Sequence, residues 1–188
     1  MTRQLLILLF LGIFGINGTS QEEAWRKRTS LPDYFPKLEK RKKSLFFLQR
    51  NMNENTIVYD LNCLEDGTVN PKNPIDVYWM RYPGDKAPYR REITWIEKKF
   101  AYGYNSKQSK DGDGFEVELV SYDKRKIYLK RNTNGRYEPY MNINGKSCRL
   151  TNLYVYADLT NWWSDVIHVD IYGVDTLSGQ EEYERFVN

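Results

Sequence analysis

The chain has 188 residues, 28 Lys and Arg against 25 Asp and Glu, and a formal net charge of +3. That length suits one domain with its own core, and so even a balance argues against a dedicated nucleic-acid binder. One His and two Cys exclude a zinc site of the usual nitrogen and sulfur ligands.

In chain order, Arg3 precedes an unbroken apolar run, Leu5 to Ile16, and the small polar segment Asn17-Gly18-Thr19-Ser20. This is the layout of a secretory signal, and the run is shorter than the roughly 20 residues a membrane span needs. Residues 1–20 are therefore expected to be removed near Ser20, leaving an exported chain that is soluble in the periplasm or outside the cell. Residues 21–44 follow as a basic leader with eight cations and four acids. Pro32 and Pro36 bracket Tyr34-Phe35 there, which predicts an extended strap. The leader reads as a solvated tether, or as a weak contact with anionic envelope polymers or lipid.

From Leu45 to the end, a β-rich domain is predicted. Leu45 to Leu48 and Thr56 to Tyr59 flank a polar turn, Asn51 to Asn55, and read as a hairpin. Ile75, Val77 and Trp79 alternate with polar partners as a third strand. Ile93, Ile96 and Phe100 then share one helical stripe, with Glu92 early, Lys98 and Lys99 late and Gly103 beyond, predicting a helix over 91–102. Alternation returns at Phe115, Val117 and Leu119, and again at Ile127 and Leu129. Asn134-Gly135 and Asn144-Gly145 read as type I′ turns, and Pro139 predicts an edge strand or a bulge. Leu153, Val155 and Ala157, then Ile167, Val169 and Ile171, complete the pattern before a turn at Asp175 to Gly179 and a last strand ending near Phe186. About ten short strands and one helix predict an antiparallel β-sandwich or a partly open β-barrel.

Chemistry is thin along this pattern. His168 shares a strand face with Val166, Asp170 and Tyr172, opposite the apolar set, and is expected to meet solvent or an open groove. No G-x-S-x-G elbow exists to pair with it. Asp111-Gly112-Asp113-Gly114 opens like a calcium loop, but Tyr122 stands where the bidentate acid belongs. Glu116 and Glu118 sit about 7 Å apart on one strand face, a spacing inverting glycosidases use and any half-exposed strand also shows. Cys63 and Cys148 either form a bridge in an oxidising compartment or remain buried thiols. The aromatics stand out: Trp162-Trp163 fall on a loop, and Tyr154 and Tyr156 on the outer face of the preceding strand. Together they outline a stacking platform, or one indole plugs the end of the fold. Trp79 and Trp95 read as core-facing or interfacial.

Five stretches carry a family likeness: Phe47-Leu48-Gln49-Arg50, Asn55 to Tyr59, Val77 to Tyr82, Lys99 to Gly103 and Ile171 to Asp175. With them, the chain from Leu45 onward resembles domain of unknown function 4833, a family of small exported bacterial proteins. The resemblance implies export and one domain, and it nominates no catalytic residue and no cofactor. The expected function is a non-enzymatic extracytoplasmic module that binds a glycan or protein partner through Trp162, Trp163, Tyr154 and Tyr156, with His168 and Tyr172 alongside. Two alternatives are a barrel carrying a small apolar ligand and a hydrolase using Glu116 or Glu118.

Overall fold

The protein was studied as a computed structural model, which describes residues 41–51, 53–84, 86–158 and 165–187. Among these described residues, eleven strands form one curled, half-barrel-like sheet: β1 (Ser44–Arg50), β2 (Asn53–Leu61), β3 (Ile75–Arg81), β4 (Tyr89–Glu92), β5 (Tyr104–Gln108), β6 (Gly114–Leu119), β7 (Tyr122–Arg131), β8 (Tyr137–Ile143), β9 (Lys146–Asp158), β10 (Asp165–Asp175) and β11 (Glu181–Val187). The order is β4-β3-β2-β1-β9-β8-β7-β6-β5, with β10 and β11 extending from β9.

The long strand β9 organises this sheet. Its first part pairs with β8 and its later part with β1 on the same edge, while β10 runs along the other edge. Two meanders, β1 to β4 and β5 to β8, thus hang from one strand and curl toward each other. Inward residues of both, including Ile57, Tyr59, Ile127, Leu129, Leu153 and Ile171, merge into one core. Each such side chain contributes roughly 1.5–3 kcal/mol on burial.

The β1–β9 pairing is parallel, matching Phe47 with Asn152 and Arg50 with Val155. That one ladder departs from the antiparallel expectation, which every other pairing of named strands follows. Alternation reports only which face is buried, and it reads the same for either direction. Asn51 clamps this seam: its Nδ2 donates to the Ala157 carbonyl and its Oδ1 accepts from the Ala157 N–H, both at 2.9 Å.

The helix also differs from expectation. Arg90 and Arg91 are taken up by β4, opposite Met80 and Trp79, so helical winding starts only after Thr94. There a capping box holds α1 (Trp95–Glu97), with the Thr94 hydroxyl accepting from the Glu97 N–H and the Glu97 carboxylate from the Thr94 N–H. The chain then widens into a π-turn, Lys98–Tyr102, that buries Ala101 and Tyr102. Trp95 is 70% exposed rather than interfacial.

Asn144 and Gly145, at φ 50° and 81°, make the expected type I′ turn. Only Gly135 of the other pair has a positive φ, and Asn132 spans that loop by accepting from the Asn134 and Arg136 N–H groups. That loop is therefore a longer hairpin connection, not a two-residue turn. Pro139 sits in an interior strand, yet β8 meets β9 only from Tyr140 onward. Its missing N–H thus falls outside that ladder. Among the described residues, no helix is long and apolar enough to cross a membrane.

Candidate functional site

The predicted platform is partly assembled and wholly re-sited with respect to solvent. Trp162 and Trp163 lie outside the described residues. Tyr154 and Tyr156 on β9 and His168 and Tyr172 on β10 do come together, because Tyr156 pairs with His168 and Tyr154 with Asp170 across the ladder. The rings of Tyr156 and His168 stack at 4.9 Å, only 5° from parallel. They are not exposed, however: Tyr156 is 0%, and Tyr154 and His168 each 4%, accessible. Tyr154 and Tyr156 form a second small cluster with Ile167 and Tyr172 on the face away from the main core. A polar-looking alternation can serve a face that is itself covered, which is why burial here was not legible from period alone.

That face holds a network the residue pattern did not single out. Asp170, 2% accessible, accepts from Arg185 Nε at 2.7 Å and Nη2 at 2.9 Å, and from the Tyr183 hydroxyl at 3.0 Å. Burial and then the Asp170 charge push the Tyr183 phenol up to about 12. His168 Nε2 stands 3.8 Å from Asp170 Oδ2, too far for a hydrogen bond. Burial lowers the His168 pKa despite that carboxylate, so the ring is neutral at neutral pH. Asp170, Arg185 and Tyr183 make an anchor between β10 and β11 rather than an open reaction centre.

The open aromatic surface lies instead on the outer face of β7 and β8. Tyr128 and Tyr140 are direct cross-strand partners there, which sets their Cβ atoms about 5 Å apart. They line a shallow cleft of about 660 Å³ with Lys130, Asn132, Asn142, Ser147 and Thr176. Tyr128 is 38% exposed, and the Lys130 ammonium lies 5.5 Å from its ring centre. The Tyr140 hydroxyl donates to Glu138 Oε2 at 2.8 Å, and burial together with that bond raises its pKa to about 12. Thr176 Oγ1 donates to the Ser147 carbonyl at 2.9 Å, tying the β10–β11 turn to the rim. Ring faces flanked by amides and hydroxyls suit a ligand with both C–H faces and hydroxyl groups. The sequence held a signal for this pair: Tyr128 and Tyr140 both fall on outward positions beside core residues.

A second groove, of about 290 Å³, is lined by Arg41, Asp60, Asp76, Tyr78 and Arg90. Its charges are mutually matched: Arg90 is bidentate on Asp76, and the Tyr78 hydroxyl donates to Asp60 at 2.8 Å. Most of its charged groups are thus knit to one another.

A family model described as domain of unknown function (DUF4833) matches residues 46–185. The chain belongs to that family. No curated protein and no solved structure matches it. The DUF4833 region runs from β1 into β11, so it takes in the tyrosine cleft, the Asp170 network and Trp162-Trp163 alike.

The other predicted chemistries fare as follows within the DUF4833 region. Lys126 sits between Glu116 and Glu118, at 3.0 and 3.6 Å, and draws the Glu116 pKa down. A general acid needs the opposite shift. The apolar hollow between Leu48, Leu119, Leu153 and Val169 is about 20 Å³, room for a single water and not for a carried ligand. Cys63 and Cys148 are free thiols. Cys148 lies on β9 between Met141 of β8 and Asp175 of β10, while Cys63 follows β2 and bridges Val69. Among the described residues, no group of His, Cys, Asp or Glu could hold a metal ion.

Proposed function

We propose that this is an exported, non-enzymatic binding domain that takes a glycan of the cell envelope on the Tyr128–Tyr140 cleft. The observation that carries the reading is this pair of partly open tyrosines, side by side above a rim of Asn132, Asn142, Ser147 and Thr176. Flat rings receive the C–H face of a sugar, and the amides and hydroxyls meet its hydroxyl groups. Export rests on the signal-like residues 1–20, and the basic segment 21–44 adds a weak contact with anionic envelope polymers. The burial of Tyr154, Tyr156 and His168 shifts the binding surface from the platform first outlined to β7 and β8.

The test is a glycan array probed with the chain beginning at Gln21. Binding to at least one envelope saccharide is expected, lost in Tyr128→Ala/Tyr140→Ala while circular dichroism is unchanged. A silent array, or undiminished binding by the double variant, overturns the proposal.

A further inference from the structure

The concave face ends in an arginine pair that no acid among the described residues neutralises. On β1, Phe46 and Leu48 point into the core, and Arg50 follows after a β-bulge, opposite the core-packed Val155; on β3, Val77 and Trp79 are followed by Arg81. The ladders place Leu48 opposite Ile57 and Ile57 opposite Trp79. Arg50 and Arg81 therefore close the same end of the face, with β2 between them. Two strand spacings separate their backbones by about 9–10 Å, close enough for two such long side chains to converge.

Among the described residues, their surroundings lack an answering acid. Arg50 Nε and Nη1 are buried without a hydrogen-bond acceptor. Arg81 lies 5.4 Å over the Trp79 ring, and Arg91 lies 5.7 Å over the same ring. Glu97 Oε1 takes the Arg91 charge at 2.7 Å and also accepts from Trp79 Nε1 at 3.0 Å, so it is already committed. Among the described residues, neither Arg50 nor Arg81 forms an ion pair. Tyr102 stands within the field of all three arginines. Burial draws the Arg50 pKa down, with Tyr102 opposing and Arg81 adding to the effect. An uncompensated guanidinium in such a place is costly to keep. Both arginines are half-buried, so part of each side chain stays accessible.

We propose that Arg50 and Arg81 together bind an oxyanion, the phosphate or carboxylate group of a small ligand, at the open end of the concave face. Guanidinium forks match both groups in plane and charge. Trp79 and Tyr102, in edge contact at 5.2 Å, supply the apolar wall beside it. This site lies on the opposite face from the Tyr128–Tyr140 cleft, so the two readings stand or fall separately.

The experiment is calorimetric titration and thermal unfolding of the chain beginning at Gln21, with inorganic phosphate, acetate or chloride at matched ionic strength. Phosphate or acetate is expected to bind and raise the melting temperature where chloride does not, and the stronger of the two names the ligand group. Arg81→Gln should weaken binding about tenfold or more, the loss of a charge-assisted hydrogen bond. Arg50→Met should abolish binding and, by removing an unanswered charge, melt no lower than the parent without added anion. Should Arg50→Met not fold, Arg81→Gln alone decides. Tyr128→Ala/Tyr140→Ala should titrate as the parent does. Equal responses to all three anions, or variants at Arg50 and Arg81 that bind like the parent, overturn the proposal.

Discussion

Replacing Asp170 with Asn tests whether the buried network is the anchor that its geometry describes. The carboxylate receives two bonds from Arg185 and one from Tyr183, and its side chain is 3% accessible. An amide of the same shape turns one acceptor into a donor, so one Arg185 N–H meets another N–H, and the charge pairing is lost. Breaking a fully buried pair costs about 3–5 kcal/mol. Water reaches the Arg185 side, which is 25% accessible, and screens part of that loss, leaving about 2–3 kcal/mol. In a chain of this size the melting temperature should fall by about 5–10 °C. Urea unfolding of Asp170→Asn, Arg185→Met and the double variant measures it, and the double variant should cost less than the two single ones added together. A loss under about 0.5 kcal/mol, or strict additivity, would refute the reasoning.

Three further outcomes are expected. Gly173→Ala should cost about 2 kcal/mol in urea unfolding, the penalty of overpacking, because an added Cβ would stand 2.6 Å from Ile143 Cδ1 and 2.9 Å from the Arg149 carbonyl. Since burial depresses the folded-state pKa of His168, its contribution is full above the unfolded value of about 6.5 and is lost as pH falls below it. His168→Gln should flatten the fall in urea midpoint between pH 7 and pH 5, and an unchanged profile would remove His168 as the cause. A thiol reagent should label half-buried Cys63 in the native protein and Cys148 only on unfolding; native labelling of both would contradict the packing of β8 against β9.

Much of the architecture was legible because strand period and face burial coincide. Val117 and Leu119, Ile127 and Leu129, and Ile167 to Ile171 all mark strands that form. Direction and partner were not legible: β1 joins β9 in parallel, and Asn51, which reads as a turn residue, acts as a clamp across that seam. The helix was overextended because its first positions, Arg91 and Glu92, fitted a helix start and a β-ladder equally well, and the ladder with β3 won. At the candidate site, outward alternation identified Tyr154, Tyr156 and His168 as a group but carried no information on what covers them. Tyr128 and Tyr140 obey the same alternation and remain open. Arg50 and Arg81 are 31 positions apart in sequence, and only the β2 ladder reveals that they share an end.

The clamp at Asn51 has a kinetic corollary. Its partner Ala157 lies 106 positions later, so a chain made from its amino terminus carries β1 with one edge unsatisfied until almost the whole sequence has emerged. The meander β1 to β4 can assemble early from neighbours, but closing the seam is a long-range event and should limit the folding rate. Until then that bare edge invites pairing with other copies, so refolding yield should depend more steeply on concentration when Asn51 is altered than when any hairpin turn is.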